Sequence, residues 1–443
     1  MLLCAAGGSG VFSAEEKLFF TAPSELPNVS RHMHTAGFWI KRHPAPDKVI
    51  MTPPQIEAFN NHIRNDLKLT KDIFAVTRNF QTETLVADFE KILNDFTDKG
   101  HCTAAGTRND TAFIDKARRN MNLPDVISGM APRYGLVVQY TDVRFLPTAE
   151  GLYESPGDFD FDQLQNSSLD VGTAVAVVHQ SADKKWYYVL TALSDGWVRK
   201  EDIALAQVKT VRDFVENPQF VVATVPKAEI FLNEAMTDYL EYVRMGTRLP
   251  LVSLSQGKVQ VFVPIRDKDG KLQTVPSYVS SASVHEGFLS LTPRTIYNQA
   301  FAMLNQPYGW GGMYGQQDRS AFLDEVFGTV GIILPRDSKN QAQVGTLLAE
   351  FNEKTAVKEK LESLSAVPPA EALLWMKGHI LLYLGMVDER PYAIHAVWAF
   401  RQRQGDRDVP RVLNRVVVSD LSLGEGSQKG SLLKRLIKII EIK

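Results

Sequence analysis

The chain predicts a multidomain α+β protein, because its texture changes three times along 443 residues. Helical spacing and irregular segments occupy about residues 25–130. Short apolar runs broken by turn residues fill residues 131–285. From residue 286 helical spacing returns and then gives way to strands, the helices-then-sheet order of an α+β domain. A chain of this length suggests about three domains.

Each region has local reasons. Thr52 can cap a helix with Pro53 at its first position. Ile56, Phe59, Ile63 and Leu67 then recur at helical spacing and predict a buried face. A second helix is expected over residues 85–96. Residues 135–140, 174–178 and 186–190 read as strands, followed by Gly196-Trp197-Val198. Residues 155–162, acidic and aromatic, form a long inserted loop. A second set of strands is expected from residue 208 to 283, including 220–225, 227–232 and 259–264. Asp267-Lys268-Asp269-Gly270 is a hairpin turn signal. Closely spaced short strands fit a barrel or a sandwich equally well.

In the last region Thr292 caps and Pro293 opens a helix lined by Ile296, Ala300, Phe301 and Leu304. Asp318 caps a helix carrying Phe322, Val326 and Val330. Ser338 is expected to cap another helix reaching residue 351. Residues 379–384, 392–400 and 412–419 read as strands. The basic tail, 429–443, reads as a solvated terminal helix.

Composition excludes several classes. Apolar residues make up 44% and charged residues 23%, enough to bury a sizeable core. A net charge of -2 argues against nucleic acid as a partner. No apolar run reaches the roughly 18 residues that span a bilayer. Cys4 and Cys102 are the only cysteines, which rules out a disulfide framework or a four-thiolate zinc site. His32, His34 and His43 lack a carboxylate or cysteine close by in sequence, so no metal and no cofactor is expected. Residues 1–14 read as a weak export signal or a plain disordered terminus. Too few residues precede Cys4 for a lipoprotein signal.

The chemistry concentrates in Pro307-Tyr308-Gly309-Trp310-Gly311-Gly312-Met313-Tyr314-Gly315-Gln316-Gln317-Asp318-Arg319-Ser320 and in two later histidines, His379 and His395. A helix N-terminus carries partial positive charge, which favours a thiolate there. The matching base comes from a distant part of the chain. A hairpin turning through Val387 would place His379 and His395 directly opposite, with Cβ atoms about 4.5–5.5 Å apart. One imidazole could then orient the other.

The order of these motifs, with the Gly196-Trp197-Val198 strand, resembles the NlpC/p60 family of wall-degrading cysteine peptidases carrying bacterial SH3 domains. The resemblance implies an N-terminal stabilising region (25–130), SH3-like barrels (131–207 and 208–285) and a papain-like NlpC/p60 domain (286–443). It implies metal-free cleavage of peptidoglycan stem peptides or muropeptides between γ-D-glutamate and a diamino acid. Position by position, Arg319 occupies the nucleophile site, His379 matches the base and His395 the residue that orients it. Tyr308 matches a tyrosine bordering the oxyanion region. Asp337 matches an acid that binds the ammonium of L-alanine, and Asp318 and Ser320 flank the nucleophile position on the substrate side. The resemblance implies a cell-envelope or secreted location, with a cytoplasmic one as the alternative.

Arg319 is a severe departure. A guanidinium stays protonated and offers no lone pair, so it cannot attack a carbonyl. It also sits at the positive end of a helix, where a cation is unfavourable. The side chain is expected to fill the cleft, or to pair with Asp337 or Asp318. Ser320 is one residue on, turned by about 100°. The expectation is therefore a stem-peptide endopeptidase homologue with impaired hydrolysis and a retained peptide pocket. Two alternatives stand beside it: an active hydrolase with another nucleophile, and a non-catalytic SH3-based wall-binding protein.

Overall fold

The computed structural model describes residues 19–20, 26–76, 82–97, 99–107, 111–127 and 131–443. The reading of residues 1–14 and of Cys4 lies outside them.

Helices occupy the N-terminal part, as Thr52, Pro53 and the apolar spacing predict. The Pro53–Asn61 helix has Thr52 at its N-cap, and Gln55 Oε1 accepts from Thr52 N at 2.8 Å. Ile56, Phe59 and Ile63 are buried. These helices serve two different cores. Leu26, Trp39, Phe59 and Ile63 pack with the C-terminal sheet and its helices. Leu85, Phe89, Leu93 and Met121 pack instead on Tyr188 and Trp197 of the first sheet.

Two seven-stranded sheets follow. The first runs from Arg133–Val137 to Ile203–Ala206 and includes Trp186–Leu190 and Asp195–Arg199. The expected long loop connects Thr141–Arg144 to Gln165–Leu169. The second sheet runs from Phe220–Ala223 to Val284–Glu286. Its Lys258–Arg266 and Leu272–Ser280 strands pair up to the Asp267–Gly270 turn. The stretch beginning at Val208, expected as strand, is the helix Val208–Val215. Val211 and Phe214, three residues apart, lie on one helical face and bury against Leu136.

The C-terminal sheet has the order Phe19–Phe20, Arg407–Asp420, Arg390–Gln404, His379–Val387, Ala372–Met376, Lys438–Glu441, Thr346–Glu350. Pro293–Ala302 and Arg319–Gly328 are helices of the same core, with Ile296, Phe322 and Val326 fully buried. Thr292 caps the first by accepting from Thr295 N.

Two expectations fail here. The helix from Ser338 is a single turn, Ser338–Gln341, and the chain then enters the Thr346–Glu350 strand. Gly345 marks the break: its φ is +73°, and a Cβ there would stand 2.2 Å from Glu441 O. The basic tail is not a solvated helix. It forms a short helix, Leu432–Arg435, and then a strand inside the sheet. Ile439, Ile440 and Ile442 are at most 1% exposed, so these isoleucines are core residues.

Candidate active site

The glycine-rich turn delivers the Arg319–Gly328 helix onto the central His379–Val387 and Arg390–Gln404 strands of the C-terminal sheet. Residues 310–315 form an irregular turn with positive φ at Gly311, Gly312, Tyr314 and Gly315. Gly312 has no room for a side chain, because a Cβ would lie 2.0 Å from Ser168 Oγ of the first sheet. Tyr140 Oη donates to Gly312 O, and Gln165 Nε2 donates to Gly311 O at 3.2 Å. The first sheet therefore holds the turn that precedes the helix.

Asp318 is the N-cap and accepts from Ser320 N and Ala321 N at 3.1 and 3.0 Å. Arg336 closes on the same carboxylate, Nη2 to Oδ2 at 2.7 Å and Nη1 to Oδ1 at 3.1 Å. It also reaches Ser320 Oγ at 3.0 Å and Ser167 Oγ at 2.9 Å. Burial would raise the Asp318 carboxyl, but the Arg336 charge and hydrogen bonds outweigh it and bring it down to about 2.

This corrects one expectation. Asp318 pairs with Arg336, not with Arg319. Ser320 is 5% exposed, and its hydroxyl is engaged with Asp318 and Arg336. The adjacent arginine in Pro335-Arg336-Asp337-Ser338 was the signal for this, and reading the run for its acid alone passed over it.

Arg319 itself reaches the turn before His379. Its Nη1 donates to Gly378 O at 2.8 Å and its Nη2 to Tyr308 Oη at 2.9 Å. Its guanidinium carbon lies 5.9 Å from the Tyr308 ring centre and 5.8 Å from that of Trp310. Burial pushes the Tyr308 hydroxyl up to about 12, against the opposing effect of Arg319. Asp337 is exposed, and its carboxylate has no hydrogen-bond partner among the described residues.

His379 and His395 meet, but not as direct partners. Their strands close through Asp388 and Glu389, both at positive φ, with Val387 opposite Arg390. The expected turn through Val387 is thus displaced. A bulge between Tyr383 and Gly385 then shifts the register by one, so that Leu382 faces Ile394. Without that shift His379 would fall on the face opposite His395. With it, the two rings share a face along a diagonal, and His379 Nε2 is 2.8 Å from His395 Nδ1.

His395 Nε2 lies 2.9 Å from Ser419 Oγ, a partner the sequence reading missed. Ser419 is two positions from Val417, the residue opposite His395, so the same diagonal geometry repeats. Burial, the His395 ring and Arg319 all hold His379 well below the usual imidazole range. Burial brings His395 down to about 3. Both rings are therefore neutral near pH 7. One consistent arrangement has His379 Nε2–H donating to His395 Nδ1 and His395 Nε2–H donating to Ser419, leaving His379 Nδ1 as an acceptor.

The long loop of the first sheet forms a wall. Phe161 packs edge-on against Trp310 and Trp398, with centroids 5.4 and 5.0 Å apart, and Trp398 Nε1 donates to Asp160 at 3.3 Å. The arrangement offers a buried histidine pair, a cluster of aromatic rings and a free carboxylate. At the helix start it places a cation.

Parts of the chain, and its fold, are similar to known proteins. The SH3 domain family of SH3b1 type matches residues 152–199, which include the loop carrying Phe161. A γ-D-glutamyl-L-lysine dipeptidyl-peptidase of Bacillus cereus is 26% identical over 202 residues. That match covers 42% of this chain and 56% of the relative, so the chain spans about half the length of that protein. An NlpC/P60 endopeptidase from Photobacterium damselae subsp. piscicida superposes with a TM-score of 0.76 at 20% identity, over 96% of this chain and 98% of that one. The chain thus carries an SH3b domain, is homologous over part of its length to a Bacillus NlpC/P60 γ-D-glutamyl-L-lysine peptidase, and has the fold of an NlpC/P60 endopeptidase.

Proposed function

We propose that this protein recognises peptidoglycan stem peptides of the L-Ala-γ-D-Glu-diamino acid type as an NlpC/P60 peptidase homologue whose hydrolysis is impaired. One observation carries the second half of the reading. Arg319 occupies the first turn of the helix beside the histidine pair and bonds Gly378 O and Tyr308 Oη. A protonated guanidinium there blocks the place of an attacking thiolate.

The pocket reading rests on the other groups. His379 would be the base position, His395 its orienting partner and Tyr308 a neighbour of the oxyanion region. Asp337 would receive the ammonium of the peptide, since an exposed carboxylate makes charge-assisted hydrogen bonds to such a group. In this reading residues 131–207 and 208–285 are two SH3-like barrels, residues 25–130 stabilise the assembly, and residues 286–443 are the peptidase-like unit. The substrate class favours a cell-envelope or secreted location.

An active hydrolase with another nucleophile is the weaker reading. Ser320 is buried in the Asp318–Arg336 network, and Cys102 is buried with its Sγ 3.6 Å from Tyr153 O. The deciding experiment is an assay of the purified protein on L-Ala-γ-D-Glu-diaminopimelate, paired with calorimetry on the same peptide. Saturable binding with little or no turnover is expected. Turnover that survives Arg319→Ala and vanishes in Ser320→Ala would overturn the impairment; absence of binding would remove the pocket.

A further inference from the structure

A cavity of about 250 Å³ lies between the Thr82–Phe96 helix and the first sheet, and it shares no lining residue with the cleft at His379. The helix creates one wall. Its Leu85, Phe89 and Leu93 turn inward onto Tyr188 and Trp197, and Phe89 meets the Tyr188 ring edge-on with centroids 4.8 Å apart. Asp88, Lys91, Ile92 and Asp95 recur at helical spacing beside that apolar stripe and line the cavity. Phe145, Tyr188 and Asp195 line the side formed by the sheet.

Two polar groups on the sheet side lack a partner that burial calls for. Tyr188 is 6% exposed, and its hydroxyl has no hydrogen-bond partner among the described residues. Asp195 accepts from Lys71 Nζ through Oδ2, while its Oδ1 is buried with no partner. A buried oxygen left unpaired costs free energy that an incoming donor recovers. Burial, then Asp195 and Asp88, push the Tyr188 hydroxyl above its ordinary range, so it stays un-ionised with an oxygen able to accept. The charge balance asks for a cation. Arg144 also lines the cavity but is committed to Asp162 at 2.9 Å, as Asp195 is to Lys71. Asp88 and Asp95 then stand against Lys91, one negative charge in excess. Ile92 and Phe145 add an apolar strip that suits an alkyl chain behind a charged head. A primary ammonium brings three donors and no acceptor, which matches a wall of carboxylate and phenol oxygens.

We infer that Asp88, Tyr188 and Asp195 form a binding site for a primary alkylammonium group in this cavity. The side chain of a diamino acid in a wall peptide carries that group, and so does a small free amine. The site is independent of the peptide cleft at His379, so its failure leaves that reading standing.

The test is calorimetry of the full chain at neutral pH with two probes of equal length, pentylammonium and the uncharged pentanol. Pentylammonium should saturate one site and pentanol should not. Tyr188→Phe, which keeps the ring in the core, should weaken the amine about tenfold. Asp88→Asn changes an exposed side chain, leaves the melting temperature in place and should weaken it about threefold. Absence of saturation by the amine, or equal binding of amine and alcohol, would overturn the site. Amine affinity unchanged in both variants would overturn it as well. Displacement of bound pentylammonium by L-Ala-γ-D-Glu-L-lysine, but not by its Nε-acetyl form, would support the site and assign it to the wall peptide. Saturation by pentylammonium that the tripeptide leaves in place would support the site and assign it to small free amines.

Discussion

The imidazoles of His379 and His395 touch along a diagonal of the C-terminal sheet, Nε2 to Nδ1 at 2.8 Å, and Ser419 continues the line beyond His395 at 2.9 Å. All three side chains are at most 6% exposed. A chain of buried polar groups is stable only when each is satisfied. Here the terminal hydroxyl completes the set, and Arg319 stands at the opposite, open end.

Placing a sulfur at position 319 is the most direct test of the proposed impairment. In Arg319→Cys the thiol would sit on the first turn of a helix capped by Asp318, with an imidazole pair in place. Cleavage of L-Ala-γ-D-Glu-diaminopimelate should rise over the wild-type level by roughly 10²–10⁴-fold, the span that a positioned base commonly supplies. A thiol-alkylating reagent should abolish it. A folded but inert revertant would mean that more than the nucleophile is missing.

Asp318 makes an acid-stability prediction. Its folded-state pKa is depressed, from 3.8 to about 2. Its contribution is therefore fully present above about pH 4 and is lost as pH falls through about 2, amounting to about 2 kcal/mol. Asp318→Asn should lower the wild-type melting temperature at neutral pH and flatten its decline between pH 4 and 2. Identical acid limbs for variant and wild type would contradict the pairing with Arg336.

The histidines make a prediction with the same sign. Both are held below the ordinary value of 6.5, so the unfolded chain takes up protons first. Their contribution is fully present above about pH 6.5 and is lost as pH falls towards their folded-state values. Ser419→Ala removes the last hydroxyl and leaves His395 Nε2 without its partner, at a cost of about 1–3 kcal/mol. Denaturant unfolding at pH 7.5 checks the cost. A melting curve over pH 4–7 checks the slope, and stability that is flat across that window would refute it.

Gly312→Ala tests the docking of the first sheet against the glycine-rich turn. The position has φ +89°, and the new methyl would meet Ser168 Oγ at 2.0 Å. Backbone strain alone costs about 1–3 kcal/mol. Denaturant unfolding should show a loss of at least that size. An unchanged midpoint would mean that the sheet and the turn are not packed as described.

Much of the local structure was legible. Thr292 and Asp318 cap helices because an N-cap depends on residues two or three positions on, all within the same short stretch. The strands around Trp186, Val259 and His395 follow from their apolar runs. The helical spacing of Val211 and Phe214 was also present in the chain, but the neighbouring strands masked it. The tail misled because a run mixing lysines with isoleucines suits either a solvated helix or a short strand, here buried on both faces. Only the slot between the Ala372–Met376 and Thr346–Glu350 strands selects the second.

The amino-acid order by itself determined which groups are available at the site: two histidines, a capping aspartate, a second aspartate, and an arginine that cannot attack. Those are properties of side chains and of turns a few residues long. Only the tertiary structure decided which of them meet. A single bulged residue between Tyr383 and Gly385 sets whether His379 faces His395, and packing across 18 residues gives Asp318 to Arg336 and frees Arg319 to lie on Gly378. Such contacts depend on strand register and on the fit of distant surfaces, which local sequence does not encode because a one-residue shift reverses a strand's faces without changing its composition.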